Sequence, residues 1–246
     1  MVKAVFFDLD DTLYDQLQPF LTAVRNAGIS GLFRDRLQAE DLFKRLKKHS
    51  DRLWEKHASG MMSLEELRIE RTTAAFLDIG INLAEQTAVQ LQENYEREQK
   101  RIKLRNGAET LFGQLEAFGI RMGLITNGPV EHQMIKIRAL GLLNWIDLQA
   151  VYISDGIGIA KPDPEVFRHV RLQSCFDPEE LVYVGDAWHN DIVPSYQAGW
   201  NPVWLNGRKQ QPRAEDKNVK YKECRSINEI MPLIHLIQKR DTGCLP

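Results

Sequence analysis

Three aspartates, Asp8, Asp10 and Asp11, crowd together directly after the apolar run Ala4-Val5-Phe6-Phe7 in KAVFFDLDDTLYD. Carboxylates this close resist ionising beside one another. Either open water around a polar turn or a bound cation must offset the repulsion. Three further stretches carry residues suited to work with them. LITNG supplies Thr126, Asn127 and Gly128, IAKPDPEVF supplies Lys161, and GDAWHND supplies Asp186 and Asp191. The oxygen donors Asp8 and Asp186 suit a hard cation, and Mg2+ typically binds one or two carboxylates while keeping several waters. A cation shared among the acids lets them ionise together. Lys161 and Thr126 are then left to hold an anion, for which a phosphate group is the best match. Backbone amides at Asn127 and Gly128, opening a helix, favour the same charge.

These residues need a frame that brings them together. Short apolar runs at 3–7, 121–125, 150–153 and 181–184, with another at 202–205, read as strands of a parallel sheet buried on both faces. Amphipathic stretches at 108–118, 130–140, 164–173 and 190–198 read as helices between them, and a last helix is expected at 227–238. The third has Asp163 as N-cap and Pro164 at its first position. This alternation predicts an α/β fold with a doubly wound, mostly parallel, Rossmann-like sheet. In such sheets ligands bind beyond the carboxyl ends of the strands, and the residues named above stand at those ends. Residues 16–103 break the alternation. They carry helical periodicity throughout, with a capping-box signature at Ser63-Leu64-Glu65-Glu66. They predict an inserted all-helical domain, with 1–15 and 104–246 forming the core. The polar stretch 207–218 reads as a loop.

The 246 residues are 43% hydrophobic and 27% charged, enough for a buried core. Lys plus Arg number 32 against 34 Asp plus Glu, and this balance gives no reason to expect nucleic acid or a membrane as partner. Basic stretches at 43–49 and 97–105 alternate with apolar and acidic residues at helical spacing and read as solvated helix faces. Cys175, Cys224 and Cys244 are scattered, which argues against a disulfide framework. With no signal-type leader and no apolar run near the ~20 residues of a membrane helix, a cytoplasmic protein is expected.

Taken in chain order, the motifs resemble the haloacid dehalogenase superfamily. DLDDT at 8–12 matches its first motif, DxDxT; LITNG supplies the second in Thr126, Lys161 the third, and GDAWHND the fourth in Asp186 and Asp191. Any one of these is weak alone, whereas four in order at predicted strand ends are specific. The resemblance spans almost the whole chain. It implies that Asp8 is a nucleophile forming an aspartyl-phosphate and that Asp10 is its general acid and base. It implies that Thr126 and the Asn127 backbone hold the phosphoryl oxygens while Lys161 offsets developing charge. Mg2+ would be ligated by Asp8, Asp186 and the Asp10 backbone carbonyl, with Asp191 binding a metal water or orienting Lys161. Halide-displacing members lack an acid two residues after the nucleophile, so Asp10 implies phosphate chemistry. Mutases that move phosphate within a sugar keep that acid, although most read DxDGV where this chain reads DLDDT. A phospho-accepting signalling module would hold its acids, Thr and Lys in another order. The insert resembles the family's helical cap, which implies a small phosphorylated metabolite as substrate.

Several other residues carry expectations of their own. Asp11 is expected at the solvent or as a local cap, and His132 and His189 beside the site without a role. Pro194 should kink its helix or shift its start. Phe20, Phe33, Phe43, Trp54 and Phe76 recur at helical spacing and are expected to form the insert's core.

Overall fold

The apolar run after Lys3 forms β1 (Ala4–Phe7), buried along its whole length. Four helices follow, α1 (Leu17–Asn26), α2 (Arg36–Ala58), α3 (Leu64–Leu77) and α4 (Glu85–Gln99). The alternation then begins with α5 (Ala108–Ala117), β2 (Arg121–Thr126), α6 (Val130–Ala139), β3 (Val151–Ile153), α7 (Ser154–Ile157), α8 (Glu165–Ser174) and β4 (Leu181–Gly185). It closes with α9 (Val193–Gln197), β5 (Asn201–Leu205), β6 (Lys222–Cys224) and α10 (Ile230–Asp241). This computed structural model describes residues 1–32 and 35–241, so Phe33 and Cys244 lie outside the described residues. The chain divides into two compact units, one of Met1–Asp15 with Lys103–Pro246 and one of Gln16–Ile102. Among the described residues no helix is long and apolar enough to cross a membrane.

The first unit holds one six-stranded, wholly parallel sheet in the order β3-β2-β1-β4-β5-β6. The order turns back at β1, with β2 and β3 on one side and β4 to β6 on the other. That reversal opens a crevice at the carboxyl ends of the central strands. On one face Ala4, Phe6, Ile125 and Tyr183 pack with Val166, Phe167, Val170 and Trp200. On the other, the Phe7 ring meets Phe112 of α5 edge-on at 5.7 Å. Gly123 in β2 admits the packing on the Phe6 face, because a Cβ there would lie 2.2 Å from the Phe6 ring.

Three local expectations need correction. β6 follows the polar stretch read as a loop and pairs with β5 from Val203–Lys222 to Leu205–Cys224. Its sequence, Lys-Glu-Cys, suits a short charged edge strand and carries no apolar run to betray it. α8 starts at Glu165, not Pro164; Asp163 still accepts the Glu165 N–H, at 2.9 Å. Residues Trp188–Ile192 form a wide π-helical turn before α9 begins at Val193. The helix read at 190–198 therefore starts later, the shift expected of Pro194, which lacks an N–H and sits in the first turn of α9. Ser195 Oγ donates to the carbonyls of Asp191 and Ile192 at this junction.

The helical unit has its own core, in which Phe20, Phe43, Phe76, Leu42, Leu91 and Tyr95 take part. The Phe20 and Phe43 rings lie 5.0 Å apart. Trp54 does not join this core; it is half-buried and packs on the His57 ring at 5.1 Å. α3 begins with the full capping box, Glu66 N–H to Ser63 Oγ at 3.1 Å and Ser63 N–H to the Glu66 carboxylate at 2.8 Å.

Candidate active site

Asp8 continues the line of β1, and its N–H donates to the Val184 carbonyl of β4 at 2.9 Å. This bond sets the aspartate at the sheet's reversal point. Its Oδ1 accepts from Lys161 Nζ at 2.7 Å and its Oδ2 from Thr12 Oγ1 at 3.1 Å. The same ammonium donates to Asp191 Oδ1 at 2.7 Å and to the Tyr183 hydroxyl at 2.8 Å. Asp8, Lys161, Tyr183 and Asp191 are all buried. Asn127 holds Lys161 from the β2 side. Its Oδ1 accepts the Lys161 N–H at 3.0 Å and its Nδ2 donates to the Lys161 carbonyl at 2.7 Å. Asp191 Oδ2 accepts the Ala187 N–H at 2.9 Å, so GDAWHND curls around its own last acid. Gly185 makes room for that turn, because a Cβ would lie 2.5 Å from the Asp191 side chain.

Burial pushes the Asp8 carboxyl up to about 6; Lys161 opposes the rise, while the charges of Asp191 and Asp10 add to it. Burial alone would lower Lys161. The charges of Asp191 and Asp8 outweigh it and hold the ammonium well above its ordinary value. Burial likewise raises the Tyr183 phenol, which donates to the Ile125 carbonyl at 2.9 Å. An ionised lysine thus sits between two acids, one of which resists its own charge.

Asp10 belongs to a second cluster, linked to Thr126 through Gln133. Lys136 Nζ of α6 spans both its oxygens at 2.6 and 2.7 Å. The Tyr14 hydroxyl donates to Oδ1, and Gln133 Nε2 donates to Oδ2 at 3.1 Å. Burial raises this carboxyl, but the Lys136 charge and the three donors outweigh burial and hold it well below the usual carboxylate range. Gln133 Nε2 also donates to Thr126 Oγ1 at 3.1 Å, leaving that hydroxyl its own proton to give. Sequence reasoning missed Lys136, Gln133, Tyr14 and Tyr183.

Of the two readings given for Asp11, exposure fails, and so does the anion-facing reading of the Gly128 amide. Asp11 is buried, not solvent-facing, in a left-handed turn with φ 65°. Its carboxylate pairs with Arg208 at 2.9 Å, and its carbonyl accepts from Arg105 at 2.8 Å. The Gly128 amide, expected to face an anion, donates to Ser154 Oγ at 2.9 Å. The Asn127 side chain is spent on Lys161. His189 is exposed and His132 half-buried.

Asp8, Asp186 and Asp191 each offer a carboxylate oxygen within 4.8 Å of the others. The donor set is entirely oxygen, as a hard cation prefers. Asp186 is fixed from behind, its carbonyl accepting from Trp204 Nε1 at 2.9 Å. The Asp10 carboxylate, turned toward Lys136, stands outside this trio.

The family model for haloacid dehalogenase-like hydrolases matches residues 2–199. The chain belongs to this family. A phosphoserine phosphatase of Thermus thermophilus is 32% identical to this hydrolase over 87% of the chain and 93% of that relative. A glyceraldehyde 3-phosphate phosphatase of Methanocaldococcus jannaschii is 26% identical over 97% of the chain and 98% of the relative. Among solved structures, the magnesium-bound HAD-hydrolase YfnB of Bacillus subtilis superposes with a TM-score of 0.69. It is 23% identical, covering 96% of this chain and 98% of that one, a likeness of fold. The hydrolase therefore carries an acid–lysine–acid cluster, Asp8–Lys161–Asp191, and an Asp10–Lys136 pair at the carboxyl edge of its sheet.

Proposed function

We propose that this hydrolase is a Mg2+-dependent phosphatase of small phosphomonoesters, acting through an aspartyl-phosphate on Asp8. The observation that carries the reading is the division of labour between Asp8 and Asp10. One is held by a lysine that also engages a second acid, and the other sits two residues away in a separate hydrogen-bonded nest. Nucleophile and proton carrier need that separation. An Asp8 oxygen forms a bond to phosphorus as the bond to the leaving oxygen breaks. Asp10, ionised in the free protein, relays to the released electron pair the proton that the bound monoester brings. Water then attacks the same phosphorus, the Asp8–phosphorus bond breaks, and the water proton goes to Asp10. Thr126 donates to a phosphoryl oxygen, with the Asn127 backbone beside it, and Lys161 offsets charge on the nucleophile and the phosphoryl group. Asp8 and Asp186 would hold Mg2+, with the Asp10 backbone carbonyl, and Asp191 would hold a metal water while orienting Lys161. The bound cation would supply positive charge between nucleophile and phosphate.

The phosphatase relatives, which act on phosphoserine, glyceraldehyde 3-phosphate and, in a further case, phosphoglycolate, support a small-metabolite substrate. We assign the helical unit Gln16–Ile102 the role of a cap that selects the leaving group. A cytoplasmic setting fits the free Cys175 and Cys224.

The test is phosphate release from a panel of phosphomonoesters with Mg2+ or with chelator, the products read by phosphorus NMR. Inorganic phosphate should appear only with the cation, and from one class far faster than the rest. An isomerised ester as product would favour a mutase. No reaction with any ester would overturn the proposal.

A further inference from the structure

Lys136 is only 2% exposed, on a helix where an apolar residue would be the simpler filling. Its ammonium meets both oxygens of Asp10, while Tyr14 takes a second site on Oδ1 and Gln133 a second site on Oδ2. A carboxylate has about four lone-pair sites, so every one is engaged and the carboxyl plane is fixed. The four bonds are not equal. Gln133 Nε2 has two hydrogens but three acceptors in reach, Asp10 Oδ2, Thr126 Oγ1 and the Asn127 carbonyl. Its bond to Asp10 is shared and readily exchanged, which leaves Oδ2 as the oxygen able to accept a new partner. The two-point ion pair to Lys136 keeps the plane while that exchange occurs. Gln133 and Lys136 lie three residues apart and so project from one face of α6. The same helix therefore supports both Asp10 and, through Gln133, Thr126.

We propose that Lys136 is a positioning residue, holding the Asp10 carboxyl in the plane from which its Oδ2 serves first the leaving oxygen and then the attacking water. This rests on the phosphatase reading above. Proton transfer to the leaving oxygen matters most when that oxygen is strongly basic. Disturbing Asp10 should therefore penalise alkyl esters and largely spare activated aryl esters.

The test compares kcat/KM for glycerol phosphate and p-nitrophenyl phosphate in the wild type, Lys136→Met, Asp10→Asn and the double variant, with Lys136→Arg alongside. Lys136→Met should lose ~10²-fold or more on the alkyl ester and under ~10-fold on the aryl ester, in kcat with KM little changed. Lys136→Arg should recover part of the alkyl activity. In the Asp10→Asn background Lys136→Met should cost little further, since its effect passes through Asp10. The double variant carries neither charge of the pair, so this comparison survives even if Lys136→Met alone does not fold. Equal losses on the two esters, or a full additional loss in the Asp10→Asn background, would overturn the inference. If the wild type releases phosphate from no ester of the panel above, these two included, the phosphatase reading fails and this inference falls with it.

Discussion

The helical unit and the α/β unit differ in what they bury. The helical interior is aromatic and aliphatic, built from residues such as Phe20, Phe43 and Phe76, and its Asp41–Arg45 pair lies at the surface with both side chains over a third exposed. There His49, itself buried, bonds at 2.7 Å to an Asp78 whose side chain is 41% exposed. The α/β unit instead buries Lys161 between Asp8 and Asp191, and Lys136 against Asp10, at one edge of one sheet. A buried ion pair is often no more stabilising than apolar residues of the same shape, yet removing one partner is costly. Stability alone gives no reason to collect such groups at a single place. The contrast marks the sheet edge as the part of the molecule arranged for chemistry and the helical interior as the part arranged for folding.

The sharpest way to break this contrast is to remove the central ammonium. Lys161→Met leaves Asp8 and Asp191 buried against each other and should cost about 3–5 kcal/mol, measured by urea denaturation, with phosphate release abolished. If the variant were both stable and active, the buried cluster would be ornamental. In the helical unit, Phe76→Ala should cost a similar ~3–5 kcal/mol through the cavity it leaves. Its catalysis per folded molecule on a minimal aryl phosphate should stay near the wild-type value. A loss of turnover matching Lys161→Met would erase the distinction between the two regions.

A pH effect sharpens the contrast further. The Asp8 carboxyl is raised from 3.8 to about 6 by burial, with Lys161 opposing and Asp191 and Asp10 adding to the rise. The fold therefore prefers its neutral form. In metal-free protein this group's contribution to stability is present below about pH 4 and is lost as pH rises through about 6. Asp8→Asn should accordingly melt above the wild type at pH 7.5 in chelator, match it near pH 4, and lose its advantage when Mg2+ is added. A melting difference independent of pH would contradict the assigned burial. The smallest effect belongs to the helical surface. Ser63→Ala removes half of the capping box and should cost ~1 kcal/mol, seen as a small fall in Tm with activity intact.

Much of the site was legible because its residues directly follow apolar strands. Asp8 and Asp186 stand one place beyond β1 and β4, and Thr126 is the last residue of β2, where any parallel sheet presents its ligands. Lys136 and Gln133 were not legible in the same way, since a lysine and a glutamine on an amphipathic helix ordinarily face water. A signal did exist: Gln133, Lys136, Ile137 and Leu140 share one helical face, and all four are buried. Asp11 escaped because its partner Arg208 comes 197 residues later, in a stretch with no periodicity to place it. β6 escaped because three residues with two charges carry no strand pattern.

The central claim is that Asp8 takes the phosphoryl group. Rapid acid quench of the enzyme during turnover of a radiolabelled phosphomonoester with Mg2+, followed by peptide mapping, tests it most directly. Label on the peptide bearing Asp8, discharged by hydroxylamine and absent from inactive Asp8→Asn, is the expected result. Turnover by Asp8→Asn, or label carried on another residue, would contradict it.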